Sequence, residues 1–205
     1  DVTSLTTKGT YALMIDDETT VTIEGNGTLN AYGRHSGSGI QIGGTLTIKS
    51  GTINASASKS LGGTDDGKVS GILIGTNGKL QVEGGDITAS GTKAGGKIRY
   101  GMYVKGRFSM TGGKMKVIGN DCQGLYTIGK FELSGGEMAV SSEANLLGFV
   151  AGGDSTVIKN SGKLTVDILD VASGKTMTVE KNATLTVDGV KLEEGSTLIN
   201  NGNLT

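Results

Sequence analysis

The chain carries 20 acidic and 19 basic residues, five tyrosines, one histidine and one cysteine. Glycoside hydrolysis needs two carboxylates converging on one cleft, and lyase chemistry needs a base beside carboxylates that hold a metal. The acids here do not group that way. Asp86, Lys114 and Glu137 occupy equivalent positions of three similar segments, so acid alternates with base, as in an ion-pair ladder across a flat sheet face. His35, in Tyr32-Gly33-Arg34-His35-Ser36, has neither a Ser-His-Asp context nor a metal partner and reads as a loop residue. Cys122 has no indicated base and reads as a quiescent thiol; being the single cysteine, it also excludes an internal disulfide and a multi-cysteine metal site. These residues point away from catalysis, and the chain is expected not to be an enzyme.

Two other groupings could bind a ligand. Lys79, Arg107, Lys130 and Lys163 each stand immediately before a large apolar residue, Leu80, Phe108, Phe131 and Leu164. If those segments stack, the bases form a column of like charges, which is unfavourable unless an anion compensates it. A uronic acid or sulfated glycan would serve, and so would the nearby Glu83 or Glu132. The second grouping is Gln41, Leu73, Tyr103, Tyr126 and Val150, a row expected to face outward. Tyrosine rings at regular spacing can stack on sugar rings or meet a protein partner. The competing expectation is that loops fold over them. Leu73, Tyr103, Tyr126, Lys79, Arg107 and Lys130 are therefore the candidate ligand-binding residues.

The elements that must position these side chains follow from internal repetition. Gly39-Ile40-Gln41-Ile42 recurs as Gly71-Ile72-Leu73-Ile74, Gly101-Met102-Tyr103-Val104, Gly124-Leu125-Tyr126-Thr127 and Gly148-Phe149-Val150-Ala151. A second short run follows each: Leu46-Thr47-Ile48, Leu80-Gln81-Val82, Phe108-Ser109-Met110, Phe131-Glu132-Leu133 and Leu164-Thr165-Val166. Then come small-residue corners and a third run, Ile53-Asn54-Ala55, Ile87-Thr88-Ala89, Met115-Lys116-Val117 and Met138-Ala139-Val140. Apolar and polar residues alternate in every run, which is the signature of a strand with one buried face. Three strands per coil, closed by glycine corners, predict a right-handed parallel β-helix with short strands and a single domain over residues 1–205.

The leading glycines lie 32, 30, 23 and 24 residues apart, so the extra length collects in one loop after the third run, over about 56–70 and 90–100. The inward ladders expected are Ile40/Ile72/Met102/Leu125/Phe149, Leu46/Leu80/Phe108/Phe131/Leu164 and Leu29/Ile53/Ile87/Met115/Met138, with Ala31/Ala55/Ala89/Val117/Val140 as a second ladder on the third face. From about residue 169 the pattern shortens, through Thr176-Met177-Thr178-Val179, Thr184-Leu185-Thr186-Val187 and Thr197-Leu198-Ile199, into smaller coils. An exposed final coil would be a bare sheet edge, so the expectation includes a longer native chain with further protein domains.

Composition agrees with this architecture. There are 37 glycines and no proline: tight corners need glycine, and a ladder paired on both sides needs every strand N–H. A formal net charge of −1 supplies no field to draw in nucleic acid. No apolar run approaches the roughly 20 residues of a membrane span.

The block GIQIGGTLTIKSGTINA, beginning at Gly39, and its echo GILIGTNGKLQVEGGDITA, beginning at Gly71, resemble the secreted bacterial carbohydrate-binding-domain β-helix proteins, whose coils read G-I-x-x-x-G-x-L-T-I-x-G-G-x-I. The C-terminal LTVDGVKLEEGSTLINNG is similar to repeats of bacterial surface and adhesin β-helices. The resemblance implies a secreted or cell-surface bacterial location and a role in adhesion or polysaccharide recognition. It also implies a calcium site at an Asp-Asp-Gly triplet, represented here by Asp65-Asp66-Gly67. Three readings of function therefore stand: a binding or adhesion module for polysaccharide, a structural stalk within a larger surface protein, and a degenerate polysaccharide lyase.

Overall fold

The structure describes residues 4–9, 11–34, 37–57, 69–92, 99–143 and 146–205. In this computed structural model the described residues form strands and no helix, and the strands pair in parallel. The architecture is a right-handed parallel β-helix of about seven turns.

Alternation sets which side of each strand is buried. In Lys79–Val82, Arg107–Met110 and Lys130–Leu133 the second and fourth residues are buried, and the first and third face out. The third run obeys the same rule: in Thr52–Ala57, Ile53, Ala55 and Ala57 point in. Equivalent residues then lie in register on neighbouring coils. Ile40, Ile72, Met102, Leu125 and Phe149 form one inward ladder, as expected. Leu29, Ile53, Ile87, Met115 and Met138 form another. Inside the tube the aromatic members meet: Phe108 and Phe131 stack at 5.0 Å between ring centres, and Phe149 tilts against Phe131 at 5.2 Å.

The corner after the second run requires a left-handed residue. Gly51, Gly85, Gly113 and Gly136 take φ values of 91°, 87°, 81° and 75° there. A side chain would be strained at that φ, and at Gly113 a Cβ would also press on the backbone of the coil before.

Two expectations need correction. The second inward ladder holds through Leu46, Leu80, Phe108 and Phe131, but its next member is Thr156, not Leu164. Leu164 pairs with Met138 and so belongs to the third face. The run that sequence reading passes over is Ser155–Ile158, where a buried threonine takes the place of the leading apolar residue and hides the pattern. Lys163 moves with Leu164: the partner of Lys130 is Ser155, so the basic column ends after three members.

The coil cross-section has three runs, yet hydrogen bonding joins them into two sheets. Second runs form an eight-stranded sheet from Thr20–Ile23 to Thr197–Asn200. Third and first runs join in a 15-stranded sheet because two nine-residue strands, Lys163–Val171 and Thr184–Leu192, pass from one to the other without a loop. The late coils are accordingly shorter: Thr156, Met177 and Leu198 lie in register 21 residues apart. Of the insertions expected over about 56–70 and 90–100, residues 58–68 and 93–98 lie outside the described residues, as do His35, Asp65 and Asp66, while the flanking residues belong to strands.

Candidate functional site

The first-face row forms in register, Gln41–Leu73–Tyr103–Tyr126–Val150, and continues to Asp170 and Lys191. It is not an open platform. Tyr103 is only 1% exposed, while Leu73 and Tyr126 are half-buried. Sequence reading missed Tyr100, which stacks on both rings at 5.2 Å, while Tyr103 and Tyr126 lie 5.4 Å apart. Each ring of the trio therefore touches the other two. Such pairs contribute about 0.5–1.5 kcal/mol beyond their burial. Burial, with the neighbouring Tyr126, Tyr103 and Cys122, pushes the Tyr100 hydroxyl up to about 12, and burial also raises that of Tyr103. These rings cement the wall of the tube, and neither Tyr100 nor Tyr103 can offer a face to a sugar. Further along the row the Asp170 side chain is 4% exposed and pairs with Nζ of the next member, Lys191, at 3.3 Å.

The second-face row is different. Lys79, Arg107 and Lys130 are strict register partners, flanked by uncharged Thr45 on one side and Ser155 on the other. Coil spacing puts their backbones ~4.8 Å apart. Arg107 and Lys130 are exposed and Lys79 is half-buried. Neither carboxylate expected to neutralise them does so: Glu132 pairs with Lys159 at 3.2 Å, and Glu83 makes no ion pair with the row among the described residues. Asp154 stands near Lys130 across a groove, but its carboxylate is bonded to Lys175, which holds it below the usual carboxylate range. None of the three bases has an ion-pair partner among the described residues. Comparison with protein families, with curated proteins and with solved structures finds no match to this chain.

The local backbone explains why this row is so regular. Each base follows a glycine corner, Gly78, Gly106 and Gly129, where adjacent coils touch backbone to backbone. A Cβ on Gly129 would run into the Gly106 carbonyl, and one on Gly106 into that of Gly78. The Arg107 N–H donates to the Gly78 carbonyl at 2.9 Å and the Lys130 N–H to that of Gly106 at 2.9 Å. Beside the row on the same face run Gln81, Ser109 and Glu132, the last of them the carboxylate that pairs with Lys159.

A fourth base joins the group. Lys105, exposed at the corner between the first and second runs, holds its Nζ 5.4 Å from the centre of the Tyr103 ring. It thus links the two candidate rows. Nothing in the repeat marks it, since its register partners at that corner are Gly75 and Ile128. A groove of about 220 Å³ passes Thr76, Lys105, Arg107, Ile128, Lys130 and Asp154. Among the described residues no three acidic, histidine or cysteine side chains gather closely enough to hold a metal ion.

Proposed function

We propose that the chain is a non-catalytic binding and adhesion module of a secreted or cell-surface protein that recognises acidic polysaccharide through Lys79, Arg107 and Lys130. The observation that carries this reading is the row itself: three cations in register on one sheet face, with no ion-pair partner among the described residues and with Glu132 and Asp154 engaged elsewhere. A polyanion would supply the missing counter-charge. The adjoining Gln81 and Ser109, beside Lys79 and Arg107, suit a ligand rich in hydroxyl groups. Asp86, Lys114 and Glu137 lie in register with alternating charge, and Glu137 pairs with Lys163 rather than with another acid in a cleft, which also favours a non-catalytic role.

The test is binding of the chain to a panel of acidic and neutral polysaccharides, in calcium and then in EDTA. Acidic polymers are expected to bind and neutral ones not, and EDTA should leave binding intact because the row is itself cationic. Replacing Lys79, Arg107 and Lys130 together by glutamine should weaken binding more than tenfold. Equal binding of neutral and acidic polymers, or none at all, would refute the proposal.

A second reading, a rigid stalk segment, draws on the buried tyrosines and the unbroken ladders. It expects no binding to any polymer on the panel.

A further inference from the structure

Resting on the proposed recognition of acidic polysaccharide, we infer that the glycan lies parallel to the helix axis and carries one negative charge on every sugar. Two observations fix the direction. The three cations come from three successive coils, so the line joining them is the axis. The groove beside them is lined from four successive coils, by Thr76, then Lys105 and Arg107, then Ile128 and Lys130, then Asp154, so it too runs lengthwise. A ligand lying across one coil would meet one base of the row and Lys105, leaving the other two uncompensated.

Charge spacing follows from strand spacing. Backbones ~4.8 Å apart present a positive charge at every step, with no neutral coil between them. A sugar in an extended chain advances by about one coil, so a polymer charged on every residue matches the row. A polymer charged on alternate residues satisfies at most two of the three bases. The length of the match is also bounded. Uncharged Thr45 precedes the row and uncharged Ser155 follows it, so no further cation extends it in register. The site therefore fits three charged sugars.

The experiment compares oligomers of galacturonate, charged on every sugar, with hyaluronan oligomers, charged on every second one, by calorimetric titration of the full 205-residue chain. Affinity for oligogalacturonates should rise steeply up to three sugars and flatten beyond. Hyaluronan of equal length should bind several-fold more weakly. Lys79→Gln, Arg107→Gln and Lys130→Gln should each weaken oligogalacturonate binding by about two- to fivefold, with thermal melts confirming an intact fold. Equal affinity for the two polymers, or a loss confined to Arg107→Gln and Lys105→Gln, would overturn the axial arrangement while leaving acidic-glycan recognition standing. Failure of both polymers to bind would remove the proposed function along with it.

Discussion

On the third face Asp86, Lys114, Glu137 and Lys163 stand side by side on four successive coils, and the charges alternate. Glu137 accepts a hydrogen bond from Lys163 Nζ at 3.1 Å. At the corner after the second run, Glu24, Lys49 and Glu83 follow one another in the same alternating way, with Lys49 3.5 Å from Glu24. On the second face Lys79, Arg107 and Lys130 occupy the same kind of register with no alternation. Two unit charges held at coil spacing repel by roughly 1 kcal/mol in water. The alternating rows show the arrangement that solvates such a face without that repulsion. A row that departs from it conflicts locally with the fold, and such conflicts gather at functional sites. A larger hollow, about 500 Å³, lies over the third face, lined by the alternating charges of Asp86, Lys114, Glu137 and Lys163 with Lys116 beside them, so it offers no unbroken row of one sign.

Both rows hang on one core, and the largest expected effect comes from breaking that support. Phe108 follows Arg107 in the chain, is buried at 1% exposure and stacks on Phe131. Phe108→Ala should destabilise the chain by about 3–5 kcal/mol through lost burial and the cavity left behind. Calorimetric or chemical unfolding measures this directly. Because the coils are held to their neighbours on both sides, the loss should spread to both faces rather than remain local. A variant that melts as the wild type does would show that the ladder under the basic row carries no stability.

The next experiment exchanges the two sign patterns. Arg107→Glu turns the second-face row into Lys–Glu–Lys, the pattern of the third face. It should stabilise the chain by about 0.5–1 kcal/mol, more at low salt than at high, and abolish acidic-glycan binding. Glu137→Lys does the reverse. It loses the Lys163 contact, places Lys114, residue 137 and Lys163 as three cations in register, and should lower the melting temperature while creating a new polyanion-binding row. If Arg107→Glu instead destabilised the chain, the like-charged row would not be under strain, and the contrast between the faces would lose its meaning.

Most of the scaffold behind this comparison could be read from the residues. The inward ladders follow from period-two alternation and from repeated glycine corners, and they hold from Leu29 to Val140. Reading failed where a chemical type broke the pattern. Thr156 turns inward like an apolar residue, with its hydroxyl buried, so alternation does not mark Ser155–Ile158 and the pattern assigns Leu164 to the second face instead of the third. The same substitution makes Lys163 look like a fourth member of the basic row, whereas it pairs with Glu137. The candidate site was legible only as a list of positions. That Glu132 turns to Lys159, that Tyr100 folds onto Tyr103, and that Lys105 caps the same ring are matters of side-chain direction at corners, where alternation gives no guidance.

Acid offers the mildest way to erase the difference between the faces. The hydrogen bond from Lys163, its charge, and the charge of Lys114 hold the Glu137 carboxyl below its ordinary value of 4.5. A carboxyl depressed in the folded chain stabilises it fully above the unfolded value, and that contribution fades as pH falls through the folded one. In that lower window the third face becomes Lys114, a neutral Glu137 and Lys163, and its alternation is lost. The second-face row contains no acid to protonate, so its sign pattern does not change. A carboxyl-detected NMR titration should therefore place the Glu137 midpoint below 4.5, and Lys163→Gln should move it back toward that value. A wild-type midpoint at or above 4.5 would mean that the third-face pair does not hold in solution, and the alternating row would then be no better compensated than the basic one.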